Sequence, residues 1–230
     1  GTYQIYYDYT DGNGCYNIDS NTVLVYNNPT VVANASSTNL CDGEQLTLTG
    51  SGASTYIWDN GVNDGVAFTP AVGTVNYGLQ GSDANGCVDS SFISVTVHPL
   101  PTVDAGIDQT ICEGTSISLS ASGATTYTWD NGVTDNTSFI PPLGSTIYTV
   151  VGTDANGCEN TDNTQVVVNP NPILTVSPNQ MFCLGENVIL TAAGASSYSW
   201  DGGTFSGSDY AISPVGDLLV DVIGTSSSGC

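Results

Sequence analysis

The residues of this chain with the most chemistry to offer are seven cysteines, and their spacing is regular. Cys41, Cys112 and Cys183 are equally spaced. Cys15, Cys87, Cys158 and Cys230 follow one another at steps of 72, 71 and 72. Thiols placed so strictly point to disulfides and an oxidising compartment, with buried free thiols as the plainer alternative. Zinc is disfavoured, because no C-x-x-C pair occurs and the single histidine, His98, sits beside a linker proline. No nucleophile motif accompanies His98, and a carboxylate pair for glycoside hydrolysis would be copied in every repeat, so no catalytic residues are assigned. A hard cation has better ligands here. Asp11, Asp83 and Asp154 open repeated Asp-x-Asn-Gly turns, and Asp104 and Asp108 lie near a module entrance. Carboxylates and carbonyls in turns suit calcium, which makes Asp83, Asp154, Asp104 and Asp108 candidate ligands. Ser226 replaces the aspartate in the last copy, and the spacing matches no EF-hand. The competing role for these residues is turn geometry and solubility.

Charge narrows the function further. The chain has no lysine or arginine, 22 acids and a formal charge of −22. Such a surface cannot neutralise phosphates, which excludes nucleic acid as a partner, and anionic membranes are equally unsuited. No apolar stretch of about 18 residues is present, so nothing in this segment is expected to insert into a membrane. The acids keep molecules apart and soluble, and trypsin-like proteases find no cleavage site. The acids are scattered, and Val, Ile, Leu and Tyr recur in short alternating runs, which argues against disorder.

A fixed period of about 70 residues means a tandem array of small domains. Tryptophan keeps the same period: Trp58, Trp129 and Trp200 follow Cys41, Cys112 and Cys183 at one constant distance. Proline marks the boundaries, at Tyr26-Asn-Asn-Pro29, Val97-His-Pro-Leu-Pro101 and Val168-Asn-Pro-Asn-Pro172. Such segments act as short, semi-rigid spacers. The boundaries give the C-terminal part of a module at 1–28, complete modules at 29–100 and 101–171, and a module lacking its last strand at 172–230. Gly1 and Cys230 both fall inside repeats, as expected of a segment cut from a longer protein.

In the 101–171 repeat, a first strand is expected over 103–111, broken at Gly106. Cys112-Glu-Gly114 is a turn, and Ser116–Ala121 alternates as a half-buried strand should. Further strands are expected at 127–129, 137–140, 146–152 and 165–169. Asp130-Asn-Gly132 and Asp154-Ala-Asn-Gly157 supply the turns. The same layout places strands at 45–49, 56–58 and 94–97 in the preceding repeat. No helical periodicity of useful length occurs. The expected fold is all-β, a tandem array of seven-stranded immunoglobulin-like sandwiches stacked into an elongated rod. Trp58, Trp129 and Trp200 take the core position of the third strand.

Three motifs carry a resemblance: Cys-x-Gly at the second strand, Tyr-x-Trp at the third, and Asp-Ala-Asn-Gly-Cys before Val-x-Val. Together they resemble the immunoglobulin-like and polycystic-kidney-disease-like (PKD-like) repeats of giant surface adhesins of gliding Bacteroidota, the SprB type among them. The resemblance covers all four repeats. It implies export by the type IX system to the bacterial cell surface and a role as a filament or spacer in gliding or attachment. It also implies that surface polysaccharide or substratum is bound by other regions. Two alternatives stand beside it: repeats that themselves bind carbohydrate or a surface, and spacer modules of a secreted enzyme.

The sandwich topology bears on cysteine pairing. Pairing within modules would join Cys41 with Cys87, Cys112 with Cys158 and Cys183 with Cys230. In an immunoglobulin-like sandwich the first cysteine's turn and the last hairpin lie at opposite ends of a strand roughly 20 Å long, whereas a disulfide needs Cα atoms within about 7 Å. The turn does face the next module's hairpin. The expected bonds are therefore Cys41–Cys158 and Cys112–Cys230, with Cys15, Cys87 and Cys183 unpaired within this segment.

Overall fold

The computed structural model describes residues 1–203 and 205–230. Its residues divide into two compact units, Gly1–Leu100 and Pro101–Cys230. Both are all-β, and no α-helix occurs among the described residues.

The first unit begins with a hairpin of β1 (Thr2–Thr10) and β2 (Tyr16–Leu24). A sandwich follows, of β3 (Val32–Ala35), β4 (Asn39–Cys41), β5 (Leu46–Ser51), β6 (Thr55–Trp58), β7 (Ala67–Phe68), β8 (Gly73–Ser82) and β9 (Val88–His98). One sheet has the order β3-β5-β7 and the other β4-β9-β8-β6. Only β4 and β9 pair in parallel within this sandwich. Alternate residues point inward, as the two-residue period of a strand requires. Leu46, Leu48, Trp58, Tyr77, Leu79, Val95 and Val97 thereby form the core.

The second unit repeats the design. Its first sandwich has β10 (Gln109–Cys112), β11 (Ile117–Ser118), β12 (Thr126–Trp129), β13 (Ser138–Phe139), β14 (Gly144–Thr153) and β15 (Glu159–Asn169). The sheets run β10-β15-β14-β12 and β11-β13, with β10 and β15 parallel. Leu119, Trp129, Tyr148, Val150, Val166 and Val168 form its core. The second sandwich has β16 (Thr175–Val176), β17 (Val188–Ala193), β18 (Ser197–Trp200), β19 (Phe205–Ser206), β20 (Asp209–Ile212) and β21 (Val222–Thr225). Its sheets run β16-β17-β20 and β19-β18-β21.

The first strand expected over 103–111, broken at Gly106, is divided more completely than that break alone implies. Asp104 bridges Ser122 in one sheet, and the strand proper starts at Gln109 in the other. Between them the chain crosses over, with Gly106 at φ +80°. Side chains hold the crossover where ladder bonds cannot. Ala105 donates its amide to Asp162 Oδ2 at 2.8 Å, Gln165 donates its amide to Asp108 Oδ1 at 2.8 Å, and Thr164 Oγ1 donates to the Ile107 carbonyl at 3.0 Å. The last strand is longer than expected for the same reason. Its polar half, Glu159–Gln165, turns Asp162 and the fully buried Thr164 toward the crossover.

In each module a glycine lies against a backbone carbonyl where no side chain fits. Gly123 has φ +91°, and a Cβ there would lie 1.8 Å from the Thr102 carbonyl oxygen. Gly52 and Gly194 stand in the same relation to Thr30 and Ile173.

Candidate functional site

The strongest candidate is the join between the two sandwiches of the second unit. β10 ends at Cys112, which lies opposite Asn169 at the far end of β15. The turn after it is closed by the Thr115 amide donating to the Cys112 carbonyl at 3.1 Å. The Glu113 amide donates to the Asn169 carbonyl at 2.8 Å, and Asn171 Nδ2 donates to the Glu113 carbonyl at 3.2 Å, so the turn also grips the linker. From the next sandwich, the hairpin at Ser226–Cys230 presents Cys230, whose amide donates to Ser226 Oγ at 3.1 Å. Cys112 and Cys230 are joined by a disulfide across 118 residues, with a Cα separation of 5.4 Å.

Cys41 and Cys158 are disulfide-bonded as well, while Cys15, Cys87 and Cys183 are free thiols. Bonds within modules, Cys41–Cys87, Cys112–Cys158 and Cys183–Cys230, are therefore not formed. Register explains the case of Cys112. Cys158 adjoins Glu159, at the opposite end of β15 from Asn169. Ten residue steps of strand span roughly 34 Å, far beyond the reach of one disulfide.

The candidate calcium ligands are occupied with their own turns. Asp83 Oδ1 accepts the amides of Asn85 and Cys87 at 2.8 and 2.9 Å, and its Oδ2 accepts Asn85 Nδ2 at 3.3 Å. Asp154 repeats this with Asn156 and Cys158, and Asp11 with Asn13 and Cys15. Asp104 Oδ1 accepts the Gly106 amide at 2.8 Å, and Asp108 faces β15 instead. Among the described residues, no three His, Cys, Asp or Glu side chains group as metal ligands would. Partial burial pushes the Asp83 carboxyl up, but hydrogen bonds from Cys87, Asn85 and Gly86 outweigh it and hold it below the usual 3.8. The amides of Ala105 and Asn163 do the same for Asp162.

Trp58 and Trp129 are buried, as is Trp200. The indole N–H of Trp58 donates to Asp64 Oδ1 at 2.8 Å, and the same oxygen takes the Gly50 amide at 2.7 Å. Trp129 and the Ala121 amide share Asp135 Oδ1 at 2.9 and 3.0 Å. This carboxylate ties the tryptophan strand to the opposite side of the sandwich, a role not anticipated from sequence. The signal was present as an aspartate six residues after tryptophan, at Asp64 and Asp135. The third copy has Ser206 there, and Trp200 donates to the Gly207 carbonyl at 2.8 Å. Three tyrosines also repeat one clasp: the hydroxyls of Tyr56, Tyr127 and Tyr198 each bind both backbone groups of the alanine three residues earlier.

Three other phenols are held above the ordinary 10.0: Tyr77 and Tyr148 by burial, then by the charges of Asp59 and Asp130, and Tyr210 by its hydrogen bond to Asp201. The folded chain keeps these protons longer than the unfolded chain. Their stabilisation is thus complete below pH about 10 and is lost as pH rises through the folded-state values. With no lysine or arginine in the chain, alkaline unfolding should follow tyrosine closely. In a phenolate absorbance titration, the last tyrosines should ionise only together with loss of strand circular dichroism. Full ionisation with the fold intact would refute this.

No family model matches the chain, and no curated protein does. Solved structures show likeness at low identity. Fibronectin(III)-like modules of Clostridium thermocellum CbhA are 16% identical over 60% of this chain and 95% of theirs, with a TM-score of 0.32. A calcium-stabilised adhesin with which an Antarctic bacterium binds ice is 13% identical over 100% of this chain and 79% of its own, at 0.34. The SGBP-B protein of a Bacteroides ovatus mixed-linkage glucan utilisation locus is 17% identical over 90% and 66%, at 0.25. Likeness of this degree assigns the chain to none of their families.

Proposed function

We propose that this chain is a non-enzymatic spacer from a large bacterial cell-surface adhesin, extending a distal binding region and transmitting force. The observation that carries the reading is the Cys112–Cys230 staple, which binds one repeat to the next beside the main-chain linker. A catalytic or ligand-binding array has no need of covalent links between modules, whereas a part under tension does. Cys41 occupies the position of Cys112, since it ends β4 opposite His98 just as Cys112 ends β10 opposite Asn169. We propose that its bond is to Cys158, so that one kind of staple recurs from repeat to repeat. The proposed setting is extracellular, reached by type IX export, with adhesion to polysaccharide or substratum made elsewhere.

The carbohydrate-binding alternative needs the same exposed aromatic in each repeat. Phe92 is 74% exposed on the outer face of its sheet. Its counterpart in the next repeat is Asn163, so this platform does not recur there. Small-angle scattering of the oxidised chain, with and without a calcium chelator in matched salt, tests the proposal. The expected distance distribution is narrow and elongated, and chelation leaves it unchanged because the turn carboxylates serve backbone amides. A broad distribution of freely jointed beads would overturn the spacer, and a change on chelation would give calcium a structural part in it.

A further inference from the structure

The 101–171 sandwich is continued covalently at one end by both of its parallel strands. At one end the main chain leaves β15 through Asn169, and Cys112 at the end of β10 holds Cys230. At the other end the chain enters at Pro101, whose carbonyl accepts a hydrogen bond from Asn160 Nδ2 at 2.9 Å. Beside Asn160 lies Cys158, which is fully buried and disulfide-bonded. The end at Cys112 and Asn169 therefore has two covalent exits, one from β10 and one from β15.

Building on the spacer reading above, we propose that the disulfides form a second covalent track that limits how far the chain can be drawn out. Tension crossing a disulfide bypasses everything inside its loop. With Cys112–Cys230 closed, residues 113–229 cannot lengthen a path from Gly1 to Cys230. The longest such path shortens from about 820 Å to about 400 Å at about 3.6 Å per residue. With Cys41 joined to Cys158 as well, only residues 1–41 and 112–158 remain on the path, and the limit is about 310 Å. A module that unfolds under load then yields only its 112–158 segment, not its whole period. Load passes on to its neighbours while the filament keeps most of its length.

Single-molecule stretching of the full chain between peptide tags at its two ends measures this directly, since such tags leave the free thiols untouched. The oxidised chain should stop at about 310 Å, and addition of reductant should raise the limit about 2.6-fold. A stop at about 400 Å, the path length left by one cross-link, would sustain the limiter with Cys112–Cys230 alone and would overturn the Cys41–Cys158 assignment. An oxidised chain that reaches the reduced length overturns the limiter altogether. Bonds confined within modules would also shorten the path, so Cys183→Ser is the discriminating variant. It should leave the limit unchanged, and a longer limit in that variant would overturn the proposal. Scattering tests the spacer reading separately, so a chain can fail as a spacer and still show the stop.

Discussion

Cys112→Ser should lower the stability of the oxidised protein by about 5 kcal/mol, because it reopens a loop of 118 residues in the unfolded chain. This figure is the chain-entropy cost of closing a loop of that size, and native contacts at the join add to it. Glu113, Asn169 and Asn171 lose the cross-link that holds their turn against the next hairpin. Melting should also change in character. The Pro101–Cys230 unit contains two cores linked by that bond, so its loss should let them unfold separately, with the 172–230 sandwich first. Differential scanning calorimetry would show one transition splitting into two. Cys183→Ser is the control, since that thiol is free and exposed, and its change should stay within about 0.5 kcal/mol. If Cys112→Ser melts like the parent, the disulfide contributes no stability and its role is confined to load.

How much of this was legible beforehand depended on whether a feature repeats. The period of cysteine and tryptophan marked out the modules, and the strand layout held at Leu46–Ser51, whereas only Ile117–Ser118 of the expected Ser116–Ala121 strand forms. For Cys112, strand direction argued against a partner in its own module, and the expectation that the next module's hairpin faces the junction pointed to Cys230, the bond that forms. Two features were hidden for physical reasons. Residues 159–165 are polar, and a sequence reading treats polar runs as loop, yet here the inward positions hold a crossover by hydrogen bonds instead of filling a core. Asp64 and Asp135 looked like two of many surface acids. Their importance lies in a contact with tryptophan across a loop, visible only when the repeats are aligned on Trp58 and Trp129. The turn aspartates suit calcium by type, and what their sequence did not show is that Oδ1 of Asp11, Asp83 and Asp154 accepts the amides of their own hairpins.

The same clasp supports the other large expected effect. Trp129→Ala should destabilise its sandwich by about 3–5 kcal/mol, the usual range for deleting a buried tryptophan. Trp129 is 6% exposed, in a core with Tyr148, Val150 and Val166. Two losses add up there. The cavity forfeits the packing of a large ring, and Asp135 loses one of the two donors it accepts. Variants at Asp135 separate these contributions. Asp135→Ala keeps the ring but strands the Trp129 indole N–H and the Ala121 amide, at about 1–3 kcal/mol for each donor left unmade. Asp135→Asn retains an oxygen acceptor at the same place and should restore most of that loss. Chemical denaturation of the three variants gives the comparison. If Asp135→Ala proves neutral, water serves both donors equally well, and the clasp is a consequence of the fold, not one of its causes.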